Sequence, residues 1–220
     1  MKKEKISMIF NGILFGMVLL ATIIMFTGFE FMGTGVPFTA TKLSVFKFFT
    51  VDSNLLLGIS ALLLLIQERK AIKNKTKIPE GYYVLKFAAT TSVFLTMMVT
   101  ACFLAPFTNY RFIDFYLNSN LFFHLLIPLL SIISFLFYDS YKLPFIDTFY
   151  GVLPMIIYGI FYIGNIIPHV SHNRVSFDYD FYGFFRGGIS TAYYVIPIML
   201  LITYALGYGL WFIHSRIHQK

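Results

Sequence analysis

The sequence predicts an all-α integral membrane protein, a single domain over residues 1–220 built as a bundle of six transmembrane helices with both termini cytoplasmic. Three observations predict it. Of 220 residues, 58% are apolar and 12% charged, with a mean hydropathy of +0.74, whereas a soluble domain carries about 25% charged residues. Six apolar stretches are each long enough to cross a ~30 Å hydrocarbon layer at ~1.5 Å per residue. The basic residues divide unevenly between the two sides of such a bundle.

The six stretches are Met8–Met32, Val45–Gln67, Tyr83–Ala105, Asn118–Tyr138, Thr148–Pro168 and Ile189–Ile213. The first follows Met1-Lys2-Lys3-Glu4-Lys5, a start that also suits a signal peptide. Its uncharged run from Ile6 to Phe29 exceeds the usual 7–15-residue h-region and has no small-x-small cleavage site, so it reads as a retained helix. The fifth contains Pro154, Gly159, Gly164 and Asn165 and is open to a kink or break. The sixth contains Pro197, which a membrane helix tolerates when neighbours satisfy the freed carbonyl.

Orientation comes from the 17 basic residues. Lys2, Lys3, Lys5, Arg69, Lys70, Lys73, Lys75, Lys77, Lys86, Lys142, Arg216 and Lys220 fall on one side, and Lys42, Lys47, Arg111, Arg174 and Arg186 on the other. That division, 12 against 5, predicts cytoplasmic termini. Net charge +7 and pI near 9.4 admit a nucleic-acid partner, but the basic residues sit between apolar runs. There they serve as topology signals and contacts for anionic headgroups. Membrane lipids, not nucleic acid, are therefore the expected partners. A single cysteine, Cys102, excludes an intramolecular disulfide and a cysteine metal cluster. Heavy use of Lys, Ile, Phe and Asn points to a bacterial plasma membrane.

Polar side chains inside lipid carry a cost and are the natural candidates for a site. In the second helix Thr50, Ser53 and Asn54 are spaced i, i+3, i+4 and share a face. Asp52, about 200° from Thr50, points elsewhere. In the fourth, Asn120 and His124 share a face. Counted from Val45 and Asn118, Thr50 and His124 each lie roughly 7–9 Å below the outer surface, so a hydroxyl and an imidazole meet at one level. That pairing suits a base-activated nucleophile. The plainer reading is structural, because membrane threonines usually bond their own i−4 carbonyl and a buried histidine can simply tie helices together. Lys47 and Glu30 stand nearby, the first suited to a lipid phosphate or carboxylate, the second to orienting His124. Asn54 and Asn120 are candidate donors to an oxyanion. Pro168-His169-Val170-Ser171-His172 has a metal-like H-x-x-H spacing, but loop histidines are common and neither metal nor cofactor is expected. The aromatic segment Phe177–Phe185, with Tyr182, reads as an interfacial belt or a lid over a lipid site.

Lys47-Phe48-Phe49-Thr50 ahead of an apolar helix, with His124 two helices later, resembles the androgen-induced and androgen-regulated six-helix membrane proteins and their bacterial six-helix relatives. The run Phe49-Thr50-Val51-Asp52-Ser53-Asn54-Leu55 and the pair His124…Pro128 are similar to the bacterial members, while Tyr182-Gly183-Phe184 lacks the proline of their aromatic-Pro-Phe segment. The resemblance implies a threonine hydrolase of fatty acid esters of hydroxy fatty acids, with Thr50 as nucleophile and His124 as base. The alternative from the residues is a non-catalytic lipid-binding or transport protein with a polar pocket at the same place.

Overall fold

The computed structural model describes residues 2–35, 40–106, 108–139, 141–176, 178–185 and 187–218. Phe177, Arg186 and Lys220, which enter the reading above, lie outside the described residues. Six helices are long and apolar enough to cross a membrane. They are α1 (Lys2–Thr27), α2 (Phe49–Asn74), α3 (Glu80–Val99, extended by a π turn over Thr100–Leu104), α4 (Ser119–Phe137), α5 (Phe145–His169) and α6 (Ala192–His218). We call the end carrying both termini basal and the opposite end apical.

Apolar side chains point outward as well as inward, as lipid requires. Ile160, Phe161, Tyr193 and Leu201 are each more than 60% exposed. Without a hydrophobic force between helices, close packing at small residues holds such a bundle together. A Cβ on Gly58 of α2 would stand 2.9 Å from Val18 Cγ1 of α1. Gly151 of α5 and Gly207 of α6 both abut Phe87 and Thr91 of α3. The core formed by Leu14, Val18, Val51, Leu57, Ala61, Val93, Phe123 and Ile127 therefore lies among α1–α4.

Three features differ from the expectation. The second helix begins at Phe49, because Lys42–Lys47 forms a separate 3₁₀ turn and Phe48 is extended. Thr50 is thus in the first turn of α2, so its level cannot be counted from Val45. The fifth helix is unbroken but changes type: 3₁₀ over Phe145–Val152, then α from Leu153, with Pro154 where no helical N–H is needed. Lys86 belongs to no loop. It is fully buried in α3 and paired with Asp139 at 2.9 Å, so it drops out of the topology count and leaves 11 basic residues against 5.

Candidate functional site

Two polar regions adjoin the start of α2, on different sides of it. The first faces α4. Asn54, fully buried, sends its amide Nδ2 to the Thr50 carbonyl at 2.7 Å and to the Phe123 carbonyl at 3.5 Å. One amide therefore holds the first turn of α2 level with the residue before His124. Asn54 Oδ1 is enclosed without a partner. The Ser53 hydroxyl also donates to the Thr50 carbonyl, at 3.1 Å.

Four threonines elsewhere in the helices bond back to their own i−4 carbonyl: Thr22 to Val18, Thr27 to Ile23, Thr91 to Phe87 and Thr203 to Met199. Thr50 cannot, because four residues earlier the chain is not yet in α2. Its hydroxyl makes no hydrogen bond among the described residues. The usual structural use of a membrane threonine is thus not made here.

His124 lies in a π turn, Phe122–Leu126, set within α4. Such turns admit one extra residue and occur frequently at functional sites. The ring is buried, and Nδ1 stands 3.2 Å from the Phe115 carbonyl. A carbonyl only accepts, so in the neutral imidazole Nδ1 carries the proton and Nε2 its lone pair. No hydrogen bond joins His124 to Thr50 among the described residues. Asn120 is 9% exposed and its side-chain amide is likewise unbonded. Glu30 is exposed and does not orient His124; the Phe115 carbonyl does. His169 bonds the Asn165 carbonyl and stacks on Tyr179, and His172 meets Ser171, so neither joins His124.

The second region is a cavity of about 730 Å³ walled by α2, α3 and α5, within the roughly 300–1,000 Å³ usual for small-molecule sites. Most of its wall is apolar, including Phe49, Leu56, Leu85, Ile157 and Phe161, and its polar groups are Lys47, Asp52, Ser53, Tyr158, Tyr162 and Asn165. Asp52 points away from Thr50, as the helical spacing predicts, and faces this space. Ser53 faces it too, and so does not share Asn54's direction. Thr50 and His124 are not part of its wall.

The segment before α6 closes over the apical end. Asp180 is 2% exposed and accepts three hydrogen bonds, from Tyr162 Oη at 2.6 Å and from the Phe184 and Phe185 amides at 2.9 Å each. That knot places Phe181 against the cavity and Tyr182 over α2. Tyr182 Oη accepts the Phe49 N–H at 2.8 Å, which caps a helix whose own N-cap residue, Phe48, supplies no side-chain bond. Burial holds the Tyr182 phenol up at about 12. Lys47 Nζ lies 4.9 Å from the Phe181 ring centroid and 5.2 Å from that of Phe48, a cation–π arrangement. Tyr158 Oη donates to the Lys47 carbonyl at 2.6 Å.

Sequence spacing finds Thr50, Asn54 and His124 but not Asp180, Tyr158 or Tyr162, whose roles depend on contacts across more than a hundred residues or on a loop fold. An aspartate amid Tyr179, Phe181 and Tyr182 was the available signal. No known protein family, curated protein or solved structure matches this chain.

Proposed function

We propose that the protein is an intramembrane lipid ester hydrolase, with Thr50 as nucleophile and His124 as general base, acting on an acyl ester such as a fatty acid ester of a hydroxy fatty acid. One observation carries the reading: the Phe115 carbonyl fixes His124 with the Nε2 lone pair free, while Asn54 bonds both the carbonyl of Thr50, whose hydroxyl has no structural bond, and the carbonyl of Phe123, next to His124. The Thr50 hydroxyl attacks the ester carbonyl as His124 Nε2 takes its proton. The bond to the alcohol breaks, and the imidazolium returns that proton to the leaving oxygen. Water activated by the same nitrogen then cleaves the acyl-threonine. The unbonded Asn120 amide is the donor offered to the oxyanion, since Asn54 Nδ2 is already committed to two carbonyls. No cofactor or metal enters the scheme.

A second reading rests on a different observation. The large cavity excludes both Thr50 and His124, which favours a non-catalytic lipid-binding or transport protein with the acyl chain against α5 and its polar end at Lys47, Asp52 or Asn165. A lipid-like fluorophosphonate separates the two. Hydrolysis predicts covalent labelling at Thr50 that is lost in Thr50→Ala and in His124→Ala, retained in Thr50→Ser, and measured on variants that reach the membrane folded. No labelling of the wild type, together with crosslinking of a photoreactive fatty acid to Tyr158 or Phe161, decides for binding alone.

We infer from the basic asymmetry and the composition that the bundle sits in a bacterial plasma membrane with both termini in the cytoplasm. In a Cys102→Ala background, cysteines at positions 75 and 174 test the orientation with a membrane-impermeant thiol reagent. Labelling of intact cells at 174 alone is expected; labelling at 75 alone reverses the bundle.

A further inference from the structure

The basal end holds a second buried polar cluster, built from five helices and far from the candidate site. Lys86 of α3, 0% exposed, donates from Nζ to Ser134 Oγ at 2.8 Å and to Asp139 Oδ1 at 2.9 Å. Ser7 of α1 donates to the same Asp139 oxygen at 3.4 Å. Asn11 of α1, also 0% exposed, donates from Nδ2 to Glu68 Oε2 of α2 at 3.0 Å and stands 3.5 Å from Ser7 Oγ. From α6, His214 Nε2 meets the Asp139 carbonyl at 3.1 Å and His218 Nε2 the Leu136 carbonyl at 3.0 Å. Neither histidine touches a carboxylate. The charges that act on Glu68 are Lys86 and Asp139.

This cluster does not balance. Glu68 and Asp139, 4% and 2% exposed, carry two negative charges against the single positive charge of Lys86. An uncompensated charge away from water costs several kcal/mol. The hydrogen bonds show the same shortage of protons: Asn11 Oδ1 and Asp139 Oδ2 are both enclosed acceptors that receive none. Among the described residues no group of three or more His, Cys, Asp or Glu is placed to hold a metal ion. The missing positive charge is one proton, and among the described residues Glu68 is the carboxylate of this cluster without an ion-pair partner. Once protonated, Glu68 becomes a donor. The Asn11 amide, turned over about its last torsion, then offers its oxygen to that donor and releases its NH₂ as a new donor to the cluster. One proton thus removes both the excess charge and the acceptor left empty on Asn11.

We propose that Glu68 is a proton-binding site, holding one exchangeable proton between α1 and α2 at the basal end of the folded bundle. The proton comes from the basal water phase, onto a Glu68 carboxylate oxygen, and returns there when the site empties. The charge-balanced cluster, with the Lys86–Asp139 ion pair at its centre, keeps α1, α2, α3, α4 and α6 tied together. Loss of the proton leaves a net negative charge among them, so stability falls as pH rises through the Glu68 titration. The site does not depend on the chemistry at Thr50 and His124.

Infrared spectroscopy of the full-length protein in lipid nanodiscs tests this directly. A carboxylic-acid C=O band that shifts in D₂O is expected at neutral pH. It should vanish in Glu68→Gln and survive Asp52→Asn, the control for the other carboxyl within α2. Glu68→Gln, a permanent mimic of the protonated acid, should melt near the wild type in acid, and its melting temperature should fall less than the wild type's as pH rises above about 4.3, where the unfolded carboxyl ionises. Absence of the band in the wild type at neutral pH overturns the proposal. So does a wild-type stability that rises with sodium at fixed pH, which assigns the charge to a metal cation. Should Glu68→Gln fail to accumulate, the wild-type band and its titration decide alone.

Discussion

Replacing Asp180 by alanine isolates the knot that holds the apical cover. The carboxylate accepts from Tyr162 Oη at 2.6 Å and from two amides at 2.9 Å, in a place only 2% exposed. Bonds to a charged acceptor contribute roughly 1.5–3 kcal/mol each, but members of one network do not add fully. A local loss of about 3–4 kcal/mol follows, with the Phe184 and Phe185 N–H groups left without an acceptor. At about 1.4 kcal/mol per factor of ten, exchange of those two amides with deuterium should accelerate ~10²–10³-fold. Mass spectrometry of the peptide spanning 181–187, compared with one from α3, reads the effect. Protection in α3 should be unchanged, because the loss is confined to the cover. Asp180→Asn keeps a carbonyl acceptor and should fall between the two. Equal protection of Phe184 and Phe185 in wild type and Asp180→Ala would refute the assignment of this carboxylate as the organiser of the segment.

Two further outcomes follow from the packing and from the cap on α2. Gly58→Ala pushes a methyl to within 2.9 Å of Val18 Cγ1, between two long helices that cannot readily part; a loss of about 1–3 kcal/mol is expected in denaturant titration, and Gly58→Ala/Val18→Ala should recover part of it. Tyr182 is neutral in the fold and its phenol is raised to about 12 by burial, against about 10 when unfolded. Its contribution is therefore complete below pH ~10 and is lost as pH rises toward 12, so the alkaline decline of the melting temperature should be shallower in Tyr182→Phe.

The helices were legible because lipid imposes a simple rule: about twenty apolar residues in a row. Where that rule is silent, so is the sequence. Val45-Phe46 continues an apolar run into α2, yet Phe48 is extended and the helix starts at Phe49, a break that composition cannot reveal. Of the face read from the spacing of Thr50, Ser53 and Asn54, Asn54 reaches across to the Phe123 carbonyl of α4. Ser53 shows the limit of that logic, being close enough to the boundary of the face to reach the cavity instead. Lys86 was legible as an anomaly, a lysine inside an apolar stretch, but was counted only toward the charge of one side. Its partner Asp139 is 53 residues away, and Glu68 and Asn11 are separated by 57. Such pairings follow from which helices adjoin, which no local pattern encodes.

The π turn in α4 makes one helix answer to two neighbours. Below it, Ser131 shares a hydrogen bond with Thr90 at 2.7 Å and Ser134 receives one from Lys86, both from α3. Within it, the Phe123 carbonyl meets Asn54 of α2 and His124 turns to Phe115. One residue is worth about 100° of rotation on an α-helix. The extra residue absorbed at Phe122–Leu126 thus sets the angle between the histidine and the basal serines, independently of either contact. A protein that shed that residue could keep α4 straight and apolar and still satisfy only one of the two partners. The half of the bundle that holds the Lys86–Asp139 ion pair and the half that holds the histidine are, in this sense, separately adjustable parts joined at a single swivel.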